Sequence, residues 1–183
     1  MINWIQHIDM QVLLGLVALR SAELTRVMIL VSDAGEWVIV LIASIGIALG
    51  LYIKKWREEA AGLLVATLGS AAAALLIKDV VARARPDVAL RAVAETGYSF
   101  PSAHATLAVA FFGFLAYLIG RKTTASKTLL LLITVLICLL IGFSRLYLGV
   151  HYFSDVLGGY VLGAIFLTIG IKVERWLTNR AAS

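Results

Sequence analysis

Three short polar clusters interrupt an otherwise apolar chain: Lys78 with Arg85-Pro86, then Pro101-Ser102-Ala103-His104, then Ser144-Arg145 followed by His151 and Asp155. These residue types suit an anion and a nucleophile. Lysine offers a point charge and arginine a planar fork, both matched to phosphate oxygens. Pro101 is placed to open a helix, whose free N–H groups and positive dipole end attract anions. Ser102 adds a hydroxyl donor. His151 and Asp155 stand four residues apart, where a carboxylate on the same helix accepts a hydrogen bond from an imidazole. That bond fixes the tautomer, leaves the other ring nitrogen as an uncharged nucleophile, and stabilises the imidazolium once formed. Lys78 and Arg85, two helical turns apart, share a face if their helix runs on to a stop at Pro86. Arg83 falls off that face and is read as a solvent or headgroup contact.

The chemistry these residues describe is phosphoryl transfer through a phosphohistidine. His151 attacks phosphorus in line and Asp155 holds it. Lys78, Arg85, Ser102, Arg145 and the amides near Ala103 bind the equatorial oxygens. His104 gives a proton to the leaving oxygen and then activates the water that hydrolyses the intermediate. Three cations and a helix terminus already surround the phosphate, so no metal or other cofactor is expected. Two histidines and one carboxylate would also make a poor metal cage.

The elements that must position these residues are membrane helices. The 183-residue chain is 61% hydrophobic with mean hydropathy +0.95, which implies one all-α, integral-membrane helical bundle, residues 1–183 as a single domain. Five runs are apolar and long enough to span: Trp37 to Ile53, Ala60 to Ile77, Ala105 to Ile119, Thr128 to Phe143 and Val156 to Ile171. Residues 1–35 are broken by Arg20, Glu23 and Arg26. They read as an N-terminal interfacial or partly inserted segment anchored by Trp4, with a tilted sixth span as the alternative. The first ten residues lack a basic region ahead of a short apolar stretch, so no cleavable signal peptide is expected. Glycines and alanines in the second and last spans (Gly62, Gly69, Gly159, Gly163) suit close helix packing. Cys138, the lone cysteine, reads as a small buried hydrophobe.

Loop charge sets the expected orientation. Nine basic residues, from Lys54 to Arg180, fall on one face of an alternating topology with only Glu58, Glu59 and Glu174 as acids. That face, at +6, is expected in the cytoplasm. All three polar clusters then converge at the opposite, extracytoplasmic ends of the helices, which itself argues for a single site.

In order and spacing the three clusters resemble the motifs of the type 2 phosphatidic acid phosphatase superfamily: Lys-x6-Arg-Pro, Pro-Ser-Gly-His and Ser-Arg-x5-His-x3-Asp. The resemblance covers about residues 60–170, the phosphatase core, and points to its integral-membrane lipid phosphate phosphatase branch. It implies His151 as nucleophile, Asp155 as its partner and His104 as general acid, with Lys78, Arg85, Ser102, Ala103 and Arg145 as phosphate binders. Ala103 stands where the family usually has glycine, and its methyl is expected to restrict backbone approach only modestly. Many membrane relatives have six spans, whereas a clear first span is missing here.

The implied function is hydrolysis of a phosphatidyl or polyprenyl (pyro)phosphate at the extracytoplasmic face of a prokaryotic cytoplasmic membrane. The implied partners are a membrane lipid and the bilayer, not nucleic acid. Residues 87–100, with Arg91, Glu95 and Tyr98, are expected to form a headgroup loop. Tyr147, Tyr152 and Phe153 read as aromatic packing rather than substrate contacts. A lipid phosphotransferase fits the same motifs. A non-catalytic lipid-binding or transport protein fits less well, since binding alone needs no nucleophile.

Overall fold

The computed structural model describes residues 2–181, and their regular structure is helical. The helices are α1 (Ile2–Ala18), α2 (Ala22–Ala34), α3 (Trp37–Ile53), α4 (Arg57–Val81), α5 (Ala103–Lys122), α6 (Lys127–Tyr147) and α7 (Phe153–Ala181), with a 3-10 turn at Val88–Leu90. Serine caps set several starts. Ser21 accepts from the Leu24 amide at 3.2 Å and Ser126 from Leu129 at 3.3 Å, each satisfying an N–H with no partner inside its helix.

Five segments are apolar and long enough to cross a membrane: Ala22–Ile53, Arg57–Val81, Ala103–Lys122, Lys127–Tyr147 and Phe153–Ala181. The five-span bundle read from the sequence is thus present. The first of these segments joins α2 to α3 across Gly35 and Glu36, and both ends of α2 stay beside the end of α6, where Ser21 bonds Tyr147 and Ser32 bonds Arg145. Glu23 and Arg26, which break the apolar run in sequence, lie on the exposed surface of α2 and leave its helix intact.

The centre of the bundle is α4, α5 and α7, packed against one another, with α3 against α4 and α6 against α5. Leu63, Ala66, Leu107, Phe111 and Phe114 fill the core. The small residues act as expected. A Cβ added to Gly62 would lie 2.8 Å from the Gly170 carbonyl, so α4 and α7 meet backbone to backbone there. On α5, a side chain at Gly163 of α7 would collide with the Thr106 carbonyl.

The α1 helix is tied to the bundle at the end that carries the three motifs. Leu13 is buried, Leu16 packs beside Ala105, Leu146 and Val156, and Asp9 accepts from the Ser154 amide at 2.9 Å. Arg20 donates to the Tyr147 carbonyl at 2.8 Å, and the Tyr147 hydroxyl accepts from the Ser21 amide at 3.1 Å.

Candidate active site

Four helix ends and two loops build the site. The α4 helix ends before the first motif is complete. Ala82 takes a left-handed conformation (φ 47°) and its N–H caps the Lys78 carbonyl at 2.8 Å. The expected continuation to Pro86 therefore does not occur, and Lys78 and Arg85 share no helix face. The physical reason is that the arginines are bonded where a helix could not reach. Arg83 donates to Asp155 Oδ1 at 2.5 Å and to Asp9 Oδ2 at 2.7 Å. Arg85 donates to the Thr96, Gly97 and Val150 carbonyls at 3.1, 3.1 and 2.9 Å.

Reading Arg83 as a solvent or headgroup contact is thus corrected: its guanidinium bridges two buried carboxylates and stacks 4.3 Å from the Tyr152 ring. Lys78 reaches across to the Tyr98 carbonyl at 2.7 Å, which pins the 87–100 loop over the site.

The second motif starts α5. Ser102, not Pro101, is the N-cap; its hydroxyl accepts from the Ala105 amide at 3.5 Å. Ala103 is the first helical residue and lines a cavity of about 360 Å³ together with Lys78, Arg85, Glu95, Tyr98 and His104. The Ser102 amide donates to the Asp155 carbonyl at 3.0 Å, locking the starts of α5 and α7 together.

The third motif spans the turn from α6 to α7. Gly149 takes the left-handed region (φ 71°), where a side chain would collide with the Leu90 carbonyl. His151 lies in this turn, just before α7, rather than on the helix with Asp155. Asp155 instead reaches back as a helix-start cap, its Oδ2 accepting the Tyr152 N–H at 2.8 Å. The same oxygen is 3.5 Å from His151 Nδ1, close enough for ion pairing but longer than a hydrogen bond. Nδ1 has no other partner within the described residues.

The other face of the His151 ring decides its state. Arg85 Nη1 is 3.1 Å from Nε2, and an arginine can only donate, so Nε2 accepts and carries a lone pair. The proton then resides on Nδ1, towards Asp155. His151 is only 2% exposed. Burial, and then the charges of Arg85, Arg145 and Lys78, hold its pKa well below the ordinary histidine value. The ring is therefore neutral at neutral pH, with its Nε2 lone pair held among cations.

Two carboxylates occupy positions the motifs do not announce. Glu95, from the loop, accepts from Arg145 Nη2 at 2.5 Å and lies 3.5 Å from Arg85 Nη2, so it joins the two arginines. Glu36, at the break between α2 and α3, lies 3.0 Å from His104 Nε2. Ser32, one turn earlier, accepts from Arg145 Nη1 at 2.6 Å. Of the expected headgroup loop, Glu95 sits at the arginines. Arg91 turns onto the Pro86 and Glu95 carbonyls at 2.7 and 3.1 Å, and Tyr98 remains exposed. Tyr147 is buried and Tyr152 stacks on Arg83, in keeping with packing roles.

The sequence reasoning missed Asp9, Ser32, Glu36 and the true place of Arg83. The one signal for them was acids near apolar runs in the N-terminal segment, since an ionisable group there calls for a partner. Nothing local named the partner.

Comparison with known proteins decides the family. A model described as the PAP2 superfamily matches residues 59–179. The chain belongs to the PAP2 superfamily. It is 32% identical, over 95% of its length and 89% of the relative's, to phosphatidylglycerophosphatase B of Bacillus subtilis. It is 38% identical, over 87% of its length and 86% of the relative's, to a decaprenylphosphoryl-5-phosphoribose phosphatase of Mycobacterium tuberculosis. The crystal structure of a transmembrane PAP2-type phosphatidylglycerolphosphate phosphatase from Bacillus subtilis superposes with a TM-score of 0.86 at 29% identity, over 94% of this chain and 87% of that one. The enzyme class read from the motifs, a hydrolase acting on lipid phosphates, and the multi-pass membrane architecture are both borne out by this membership. The family match begins after Glu36, so Asp9, Ser32 and Glu36 come from outside it.

Proposed function

We propose that this PAP2 protein is a metal-independent lipid phosphate phosphatase that hydrolyses a phosphatidyl or polyprenyl (pyro)phosphate through a phosphohistidine at the extracytoplasmic membrane face. The observation that carries the reading is the Arg85–His151 contact, which requires a lone pair on Nε2 amid the cations that would hold a phosphoryl group.

His151 Nε2 attacks phosphorus. The N–P bond forms as the bond to the lipid oxygen breaks, and His104 supplies the proton that oxygen needs to leave. Charge spread over the equatorial oxygens is met by Lys78, Arg85, Arg145 and the α5 N-terminus, so the chemistry needs no divalent cation. Glu95 yields its place on Arg145 and Arg85 to the incoming phosphate, which recovers equivalent charge-assisted bonds. Water, deprotonated by His104, then attacks phosphorus, freeing phosphate and restoring both histidines. Asp155, held by Arg83 and the Tyr152 amide, faces the Nδ1 proton throughout and stabilises the positive ring that develops.

Glu36 does for His104 what Asp155 does for His151. A carboxylate can only accept, so Nε2 of His104 carries a proton and Nδ1 is left to exchange one with the substrate. The charge pattern of the loops supports the extracytoplasmic placement.

The test is phosphate release by the detergent-purified protein from a panel of phosphatidic acid, phosphatidylglycerophosphate, undecaprenyl pyrophosphate and lipid A, with and without EDTA. Release that survives EDTA and is abolished in His151→Ala supports the reading. Strict dependence on added Mg²⁺, or release unchanged in His151→Ala, overturns it.

A further inference from the structure

At the helix ends remote from the catalytic cluster, α5, α6 and α7 enclose a second, larger cavity of about 960 Å³. Its walls are apolar: Val109 and Gly113 on α5, Leu131 and Val135 on α6, Leu167 on α7. Its inner end is closed where the Tyr160 hydroxyl donates to the Cys138 carbonyl at 2.7 Å, bridging α7 to α6. Leu131, Val135 and Leu139 on its α6 side are 61, 45 and 55% exposed, so the groove opens outward from the bundle. From Lys127 at the rim to Cys138 at the closed end, α6 advances roughly 16 Å at 1.5 Å per residue. That is about half of a ~30 Å hydrocarbon core, the depth of one leaflet.

The rim is cationic. Arg121, Lys127 and Arg175 line it. Arg121 Nη1 donates to the Tyr117 hydroxyl at 3.2 Å and pairs with Glu174. Arg175 Nε lies 3.4 Å from the same hydroxyl, and its guanidinium stacks 5.5 Å from the ring. Two arginines are thus fixed around one tyrosine. The single carboxylate among them, Glu174, is fully buried and already accepts from Tyr117 at 2.7 Å, from Arg121 and from Thr178. Lys127 makes no ion pair among the described residues. Three cations against one saturated carboxylate leave an excess of positive charge, set where the groove meets the end of the membrane-spanning helices.

We propose that this groove is a second, non-catalytic lipid site that takes an anionic phospholipid. One acyl chain lies along α6 as far as Tyr160, and the phosphate sits between Lys127, Arg121 and Arg175. Basic pockets between membrane helices recognise such headgroups, and a one-leaflet groove capped by excess positive charge matches such a lipid at both ends. A neutral lipid would fill the apolar part and leave the cations unanswered. The occupant fills the space between α6 and α7 beyond the Tyr160–Cys138 bridge, and it stabilises the bundle. This inference does not depend on the reaction proposed above, because no residue of the groove belongs to the catalytic cluster.

The experiment measures thermal unfolding and native mass spectra of the full chain in detergent, titrated with phosphatidylglycerol or with phosphatidylcholine of the same acyl chains. Phosphatidylglycerol is expected to raise the midpoint by about 3 °C or more and to stay bound in the spectrum, while phosphatidylcholine does neither. The double variant Lys127→Glu/Arg175→Glu is expected to bind phosphatidylglycerol at least tenfold more weakly while keeping its phosphatase rate. Thr134→Trp, which fills the groove and leaves the charges, guards against misfolding of the charge variant and is expected to lose the shift too. Equal shifts with both lipids, or a phosphatidylglycerol shift unchanged in both variants, would overturn the proposal. So would a dimer in the lipid-free protein that Thr134→Trp dissociates, since a second copy would then be the groove's occupant.

Discussion

Replacing Glu36 by glutamine tests whether a residue outside the family match takes part in the reaction. Glutamine keeps the size and an acceptor oxygen but removes the charge that pairs with a protonated His104. The wild-type contact is 3.0 Å, a charge-assisted hydrogen bond when His104 holds both protons. Such bonds contribute about 1.5–3 kcal/mol against roughly 0.5–1.5 for a neutral pair. The difference is about 1–2 kcal/mol, taken towards its lower end because the Glu36 side chain is 35% exposed and screened by water. His104 gains its positive charge as it deprotonates the attacking water, so the pair strengthens in that transition state, and its loss lowers kcat rather than raising KM. At that lower end, about 1 kcal/mol, the fall is roughly 5-fold. The assay is steady-state phosphate release at saturating lipid in mixed micelles, with melting curves confirming that the variant is folded. Glu36→Asp, which keeps the charge, is expected to recover part of the rate. A Glu36→Gln enzyme with the wild-type kcat would refute the assignment. So would one with a raised KM and unchanged kcat, which would place Glu36 on substrate binding instead.

Three further outcomes follow from the geometry. Because burial and three neighbouring cations depress the His151 pKa, its neutral form is kept as pH falls through the ordinary histidine range. The acid limb of kcat/KM is therefore expected well below about pH 6.5, and a limb at or above that value would contradict the neutral, crowded nucleophile. Arg83→Ala leaves Asp9 and Asp155 buried without their shared cation, and a destabilisation of roughly 3–5 kcal/mol is expected by chemical denaturation, with activity lost even below the melting range. Arg83→Ala with wild-type stability and rate would show the bridge to be idle. Gly163→Ala forces a methyl into the Thr106 carbonyl and is expected to lower stability by about 1–3 kcal/mol while α5 and α7 shift apart; no change in melting would mean that the helices do not meet as closely as described.

The residues of the proposed site were legible in the sequence because their signal is local. His-x3-Asp, Ser-Arg and Pro-Ser-x-His are short strings whose spacing survives any packing, and charges in hydrocarbon stand out without an alignment. Hydropathy likewise set the spans, since the bilayer fixes their length, and the small residues of α4 and α7 marked a contact that the backbone then made. What tertiary structure alone decided was partnership. Lys78 and Arg85 converge because the chain leaves the helix at Ala82, not because a helix joins them. Asp155 caps α7 and holds Arg83 as well as facing His151. Asp9, Ser32 and Glu36 lie 74, 113 and 68 residues from their partners Arg83, Arg145 and His104. A carboxylate's partner is whichever cation or imidazole the packing of α1, α2 and α3 brings within about 3 Å. That distance is a property of how helices lie against one another, and no periodicity along one segment encodes it.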